Sequence, residues 1–145
     1  MVQCNMTIND LKVDTHELYK SVGSLWCPAV KTNVVFNRHG WIHMSFSSNG
    51  RRRSAGDLKL RHHLFEHVHE VVKRTKIVIK KTSGDVTSRN GITRTAKYYE
   101  IAYLCSSNKH VTVILRKIEE GKLHYYSVRR TSNKNKKTLA KAGLL

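Results

Sequence analysis

The sequence predicts an α+β domain, with helices packed on one face of a small twisted antiparallel sheet of about four strands and an additional N-terminal hairpin. Two observations lead there. Leu60, Leu64, Phe65, Val68, Val71 and Val72 recur at helical spacing and define one apolar stripe. Behind them come β-like segments at 76–81, 97–105, 110–117 and 122–130, with turn residues between them and connections short enough for antiparallel neighbours. A chain of 145 residues supports one core. A single domain is therefore expected over 1–131, followed by a basic tail over 132–145.

The elements follow in order. Residues 7–19 read as a first helix, with Thr7 to Asp10 as a capping box and Leu11, His16, Leu18 and Tyr19 as a partial stripe. Residues 21–33 read as a connection. Asn33 to Phe36 and Trp41 to Phe46 are short β-rich runs, and residues 37–40 between them read as a hairpin turn. A polar, basic loop occupies 47–56. Asp57 is the expected N-cap of the main helix, which runs from Leu58 to Lys73. Gly84, Gly91, Ser106 to Asn108 and Gly121 mark the turns between the strands. One face of the sheet takes the helices; a nucleic-acid cleft would explain why the other stays open.

Charge carries the most functional information. Lys and Arg number 27 against 10 Asp and Glu, a formal net charge of +17. Residues 1–50 hold only four of those bases and three of the acids, so the basic surface belongs to the later part of the chain. Such a balance points to a polyanionic partner, nucleic acid before membrane. No stretch approaches the ~18 apolar residues of a spanning segment. The start lacks the basic-then-apolar order of a signal peptide, so a cytoplasmic protein is expected. Cys4, Cys27 and Cys105 are widely spaced and form no CxxC pair; they read as reduced, packed thiols.

Nine histidines suit proton transfer near neutral pH, or else form a solvated helix face. At 100° per residue, Arg61 projects into the apolar stripe, while His62, Glu66 and His69 share the polar face. A core-side arginine at the helix start either snorkels over the core edge or reaches an anion in a cleft. His63, Glu66 and His67 match an H-x-x-E-H zinc pattern, but five-residue motifs recur by chance and no third ligand is evident. No metal or cofactor is expected. Strand alternation groups Leu123, Tyr125, Ser127 and Arg129 against His124, Tyr126, Val128 and Arg130. It also sets His110, Thr112, Ile114 and Arg116 opposite Val111, Val113 and Leu115. Interleaved Tyr, Arg and Lys suit stacked bases and phosphates. No nucleotide-binding Gly motif, nucleophile elbow or acid cluster for two Mg²⁺ occurs. RNA can still be cut without metal, because its own 2′-OH is the nucleophile.

Several pieces of the sequence resemble one group. They are Trp41-Ile42-His43, the helix opening Leu60-Arg61-His62-His63, Lys97-Tyr98-Tyr99, the strand Val111 to Leu115, and Gly121 to Ser127. Over residues 33–130 this order resembles the barnase–EndoU–colicin–RelE-like nuclease superfamily, in its phage- and mobile-element-borne branch. The resemblance implies a metal-independent endoribonuclease acting by transphosphorylation, often a toxin, with RNA as substrate and an acidic inhibitor or immunity protein as partner. It implies His43 as acid or base, Arg61 as phosphate stabiliser, His62 as second acid–base group and Ser127 as a hydroxyl on the scissile phosphate. Lys97 and Tyr98 are further candidates. The run Arg61-His62-His63 leaves the register of the helix histidine open by one residue. Arg51, Arg52, Arg53 and Arg129 join Lys97 and Tyr98 as expected nucleic-acid contacts. The alternative is a non-catalytic basic RNA- or DNA-binding protein of a phage or mobile element, in which that arginine loop and the tail matter more than His43.

Overall fold

The computed structural model describes residues 8–47, 50–106 and 108–141. Among these, the chain forms five helices and a six-stranded mixed sheet. The helices are α1 (Ile8–Val22), α2 (Arg38–Ser45), α3 (Ala55–Phe65), α4 (Val68–Arg74) and α5 (Asn133–Lys141). The strands are β1 (Ser24–Cys27), β2 (Thr32–Val35), β3 (Lys80–Thr87), β4 (Thr93–Leu104), β5 (His110–Ile118) and β6 (His124–Arg130). The sheet order is β1-β2-β6-β5-β4-β3. The α+β class and the antiparallel run from β3 to β6 agree with expectation. The strand count does not: β1 and β2 form an antiparallel hairpin that joins β6 through one parallel bridge, Val35 to His124. Thr7 and Cys4 lie outside the described residues; Cys27 and Cys105 are buried free thiols.

The expected hairpin of 33–36 with 41–46 is not formed; a hairpin lies earlier instead, β1 with β2, inside the segment 21–33 expected to be a connection and running on to Val35. Residues 38–45 are helical. Asn37 is extended and its side chain accepts the amide of His39 at 3.1 Å, which starts α2. Gly40 then lets the helix lie flat, because a Cβ there would collide with the Tyr125 carbonyl and the Tyr19 hydroxyl. Local β propensity at Trp41 to Phe46 loses to this cap and this packing.

The main helix is capped by Ser54, whose hydroxyl accepts the Asp57 amide at 3.2 Å, rather than by Asp57. It also breaks after Phe65. The turn through Glu66 and His67 re-aims α4, so that Leu64, Phe65, Val68, Val71 and Val72 all reach one core. His62 is not on a polar face: it is 2% exposed and meets the Trp41 ring edge-on at 5.7 Å. The basic tail, expected to be helical or loose, is helical where it is described. Its residues 133–141 are α5, with Leu139 buried and the Asn135 amide donating to Glu100 at 3.2 Å.

Tyr99, Ile101, Tyr103, Val111, Val113, Leu115, Tyr125 and Val128 face the core under α1, α3 and α4. The opposite face of the sheet carries Tyr98, Glu100, Thr112, Ile114 and Arg116, and α5 meets it through Asn135 and Glu100, so the helices are not confined to one face as expected. A bulge in β6 corrects the expected alternation there. Ile114 pairs with Ser127 and Leu115 with Tyr125, so Tyr126 is the extra residue. Past the bulge, Val128 turns into the core, and Ser127 and Arg129 join His124 and Tyr126 on the opposite face.

Candidate functional site

The site is built where β2 leaves β6, so that α2 and the start of α3 stand against the free edge of β6. Its frame is an Arg–Asp–Arg network. Asp57 accepts from Arg53 Nη1 at 3.0 Å and from Arg61 Nε at 3.0 Å. Burial alone would raise the Asp57 carboxyl, but the Arg53 hydrogen bond and the two positive charges outweigh it and hold the group below its usual range. Arg61 then crosses to β6, donating from Nη1 to Ser127 Oγ at 2.5 Å and to the Val128 carbonyl at 3.0 Å. Arg53 turns the other way, giving Nε to the His43 carbonyl at 2.9 Å and placing Nη2 3.0 Å from His43 Nε2. Since a guanidinium only donates, His43 Nε2 accepts and the neutral ring carries its proton on Nδ1.

His43 stacks on Tyr126, with ring centroids 4.0 Å apart and planes 19° apart. The guanidinium of Arg116 lies 4.4 Å from the centroid of the same tyrosine, and its Nε donates to His124 Nε2 at 3.1 Å. Burial, then the charges of Arg53, Arg61 and Arg116, push His43 down to about 3. Burial, then Arg116, lower His124 to about 4. Burial raises the Tyr126 hydroxyl. At neutral pH the site therefore holds neutral imidazoles among fixed guanidinium charges.

A cleft of about 530 Å³ opens over these groups. His39, His43, Arg89, Arg116 and Tyr126 line it, with Phe46 as an apolar wall. His39 and His43 are one helical turn apart on α2 and so project to the same side. This supplies two imidazoles and two guanidiniums around one hollow, the group set for proton transfer beside a phosphate.

His43, Arg61 and Ser127 are thus brought together, although 84 positions separate the outer two. His62 is not with them. It faces the core between α1 and α3, where burial first, and then Lys12 and His63, lower it to about 4. Arg53 belongs to the frame rather than to an open surface: its side chain is 7% exposed. Arg51 and Arg52 are exposed in the adjoining loop. Tyr98 meets Tyr126 at 5.5 Å, and Lys97 is exposed beside it. Arg129 is engaged elsewhere, donating to Glu100 at 2.5 Å near α5. Among the described residues, His63, Glu66 and His67 gather no third metal ligand.

Sequence reasoning missed His39, Asp57 and Arg89 as site groups; Arg116 and Tyr126 it placed on strand faces suited to bases and phosphates without giving them a role. Two of the missed groups left a signal. Asp57 has an arginine four residues to either side, and His39 and His43 have helical spacing once α2 is known to be a helix. No known protein family, curated protein or solved structure matches this chain.

Proposed function

We propose that the chain is a metal-independent endoribonuclease. The observation that supports this most is the pairing of His39 and His43, on one face of α2, with Arg89 and Arg116 around one cleft of a chain with net charge +17. In the proposed step the 2′-oxygen of RNA attacks phosphorus and the bond to the 5′-oxygen breaks. A 2′,3′-cyclic phosphate and a free 5′-hydroxyl result. His43 takes the 2′-OH proton and His39 gives a proton to the 5′-oxygen. Arg116 and Arg89 neutralise the phosphorane. Arg61 holds Ser127 toward the non-bridging oxygens. For His43 to act, Arg53 must yield Nε2 as RNA enters, and the entering phosphate offsets the charges that keep this imidazole neutral.

The same reading agrees with the resemblance to the barnase–EndoU–colicin–RelE-like superfamily. A toxin of that kind works in a cytoplasm, and an acidic inhibitor protein suits its charge. A second reading, a non-catalytic RNA- or DNA-binding module, is favoured by one observation. Arg53, through Nε, Nη1 and Nη2, and Arg61, through Nε and Nη1, already serve protein acceptors.

Incubation of the pure protein with RNA in EDTA decides between them. Cleavage leaving 2′,3′-cyclic phosphate ends is expected. His39→Ala and His43→Ala should each lower its rate by about 10²-fold or more while RNA binding persists. Tight binding without any cleavage would establish the second reading instead.

A further inference from the structure

A second cleft, of about 780 Å³, lies on the helix-bearing side of the sheet, between the β1–β2 turn and the β3–β4 pair. Lys31, Lys81, Lys117 and Lys122 line it, and among the described residues no Asp or Glu does. Glu119 and Glu120 sit in the adjoining turn, outside the lining. None of the four lysines makes an ion pair among the described residues, although Lys117 is half-buried. The Lys81 ammonium stands 6.0 Å from the Tyr99 ring centroid, and Val78 and Leu123 supply apolar floor.

Four like charges around one hollow repel each other, and folding alone gives no reason to gather them. Lys31 adds a second, independent sign. It has φ 53, the left-handed region that favours Gly or Asn, yet this turn carries a lysine at the lip of the cleft. A third sign is continuity. A smaller hollow of about 340 Å³ lined by Lys97, Tyr98, Tyr99 and Lys81 shares the last two with the lysine cleft. Its Tyr98 touches Tyr126, which lines the His43 cleft. The lysine cleft and the His43 cleft lie on opposite faces of the sheet, and these basic and aromatic groups lead from one to the other round the β3 edge.

We propose that the lysine cleft is a second subsite for single-stranded RNA, holding backbone phosphates several nucleotides away from the bond at His43. The proposal rests on the ribonuclease reading for the identity of the strand, but not on cleavage. Each lysine neutralises one phosphate, and the strand reaches the His43 cleft over Tyr98. Short RNAs fill only the His43 cleft; longer ones fill both.

The test is fluorescence anisotropy with labelled 2′-O-methyl RNA, which lacks the attacking hydroxyl, at lengths of roughly two and twenty nucleotides. The triple variant Lys31→Ala, Lys117→Ala, Lys122→Ala is compared with Lys134→Ala, Lys137→Ala, Lys141→Ala on α5, which removes the same charge elsewhere. The cleft variant should bind the long probe at least tenfold more weakly, with the log–log salt slope reduced by about 2. The short probe should bind as in the wild type, and the α5 variant should change the long-probe affinity far less. The exposed pair Lys31→Glu with Lys122→Glu gives the same contrast should the triple variant not fold. Equal losses in the cleft and α5 variants, or no loss in either, would overturn the subsite. Failure of the wild type to cut natural RNA would overturn the ribonuclease reading alone, because this binding contrast does not depend on it.

Discussion

At His43, burial and three guanidiniums act on one imidazole, and Arg53 acts twice, through its charge and through the bond to Nε2. Arg53→Met removes both while keeping an apolar stem. The His43 titration should then move up from about 3 toward the ordinary 6.5, followed by its ring proton shifts in NMR. A midpoint that stays near 3 would mean that burial, with Arg61 and Arg116, sets the value without Arg53. His62 poses the reverse problem. Its ring is 2% exposed and neither nitrogen has a hydrogen-bond partner among the described residues, so two polar atoms are desolvated without return. His62→Phe, which keeps the ring against Trp41, should stabilise the fold by about 1–2 kcal/mol in urea unfolding. Parts of the site were legible at this scale. Arg61 stood out because a charge on an apolar stripe needs a partner, and its partners proved to be Asp57 and Ser127. The place of His62 was not legible, because a solvated imidazole and a packed one look alike in sequence.

At the scale of elements, the stripe from Leu60 to Val72 was readable, since helical period is local. The break at Glu66 and His67 was not, because it follows from how α4 must turn to reach the sheet. Likewise, nothing local marks residues 38–45 as a helix except Asn37. Only the fit of Gly40 against Tyr125 and Tyr19 shows why the chain turns there. Gly40→Ala should therefore push α2 away from β6. The cost expected from overpacking is about 1–3 kcal/mol, visible as a lower midpoint in denaturant. The same displacement moves His39 and His43 away from Arg116, so RNA cleavage should fall more steeply than the folded fraction does. Parallel losses in both would mean that α2 keeps its place. The bulge at Tyr126 was equally hidden. It shifts the strand's phase, and it sets Ser127 beside Tyr126 on the face that strict alternation gives to Tyr126 alone.

For the whole molecule, four histidines with lowered titration points tie stability to pH: His110, lowered by burial and then by Lys136, and three that are shifted further. His43 lies at about 3, His62 and His124 at about 4, against 6.5 in an unfolded chain. Above pH 6.5 all four are neutral in both states and their contribution is fully present. Between 6.5 and about 4 the unfolded chain binds protons that the folded one refuses, so stability falls as pH falls. Each group contributes a slope of up to about 1.4 kcal/mol per pH unit. Melting temperatures should hold steady above pH 7 and drop sharply below 6. A high positive charge would also weaken a compact fold in acid, through repulsion, and the two causes separate by salt. Added NaCl screens repulsion between exposed charges but barely touches the burial of an imidazole. The acid drop should therefore survive high salt, and His62→Phe should reduce its slope by up to about 1.4 kcal/mol per pH unit. A drop abolished by salt and unchanged in that variant would assign it to the net charge instead.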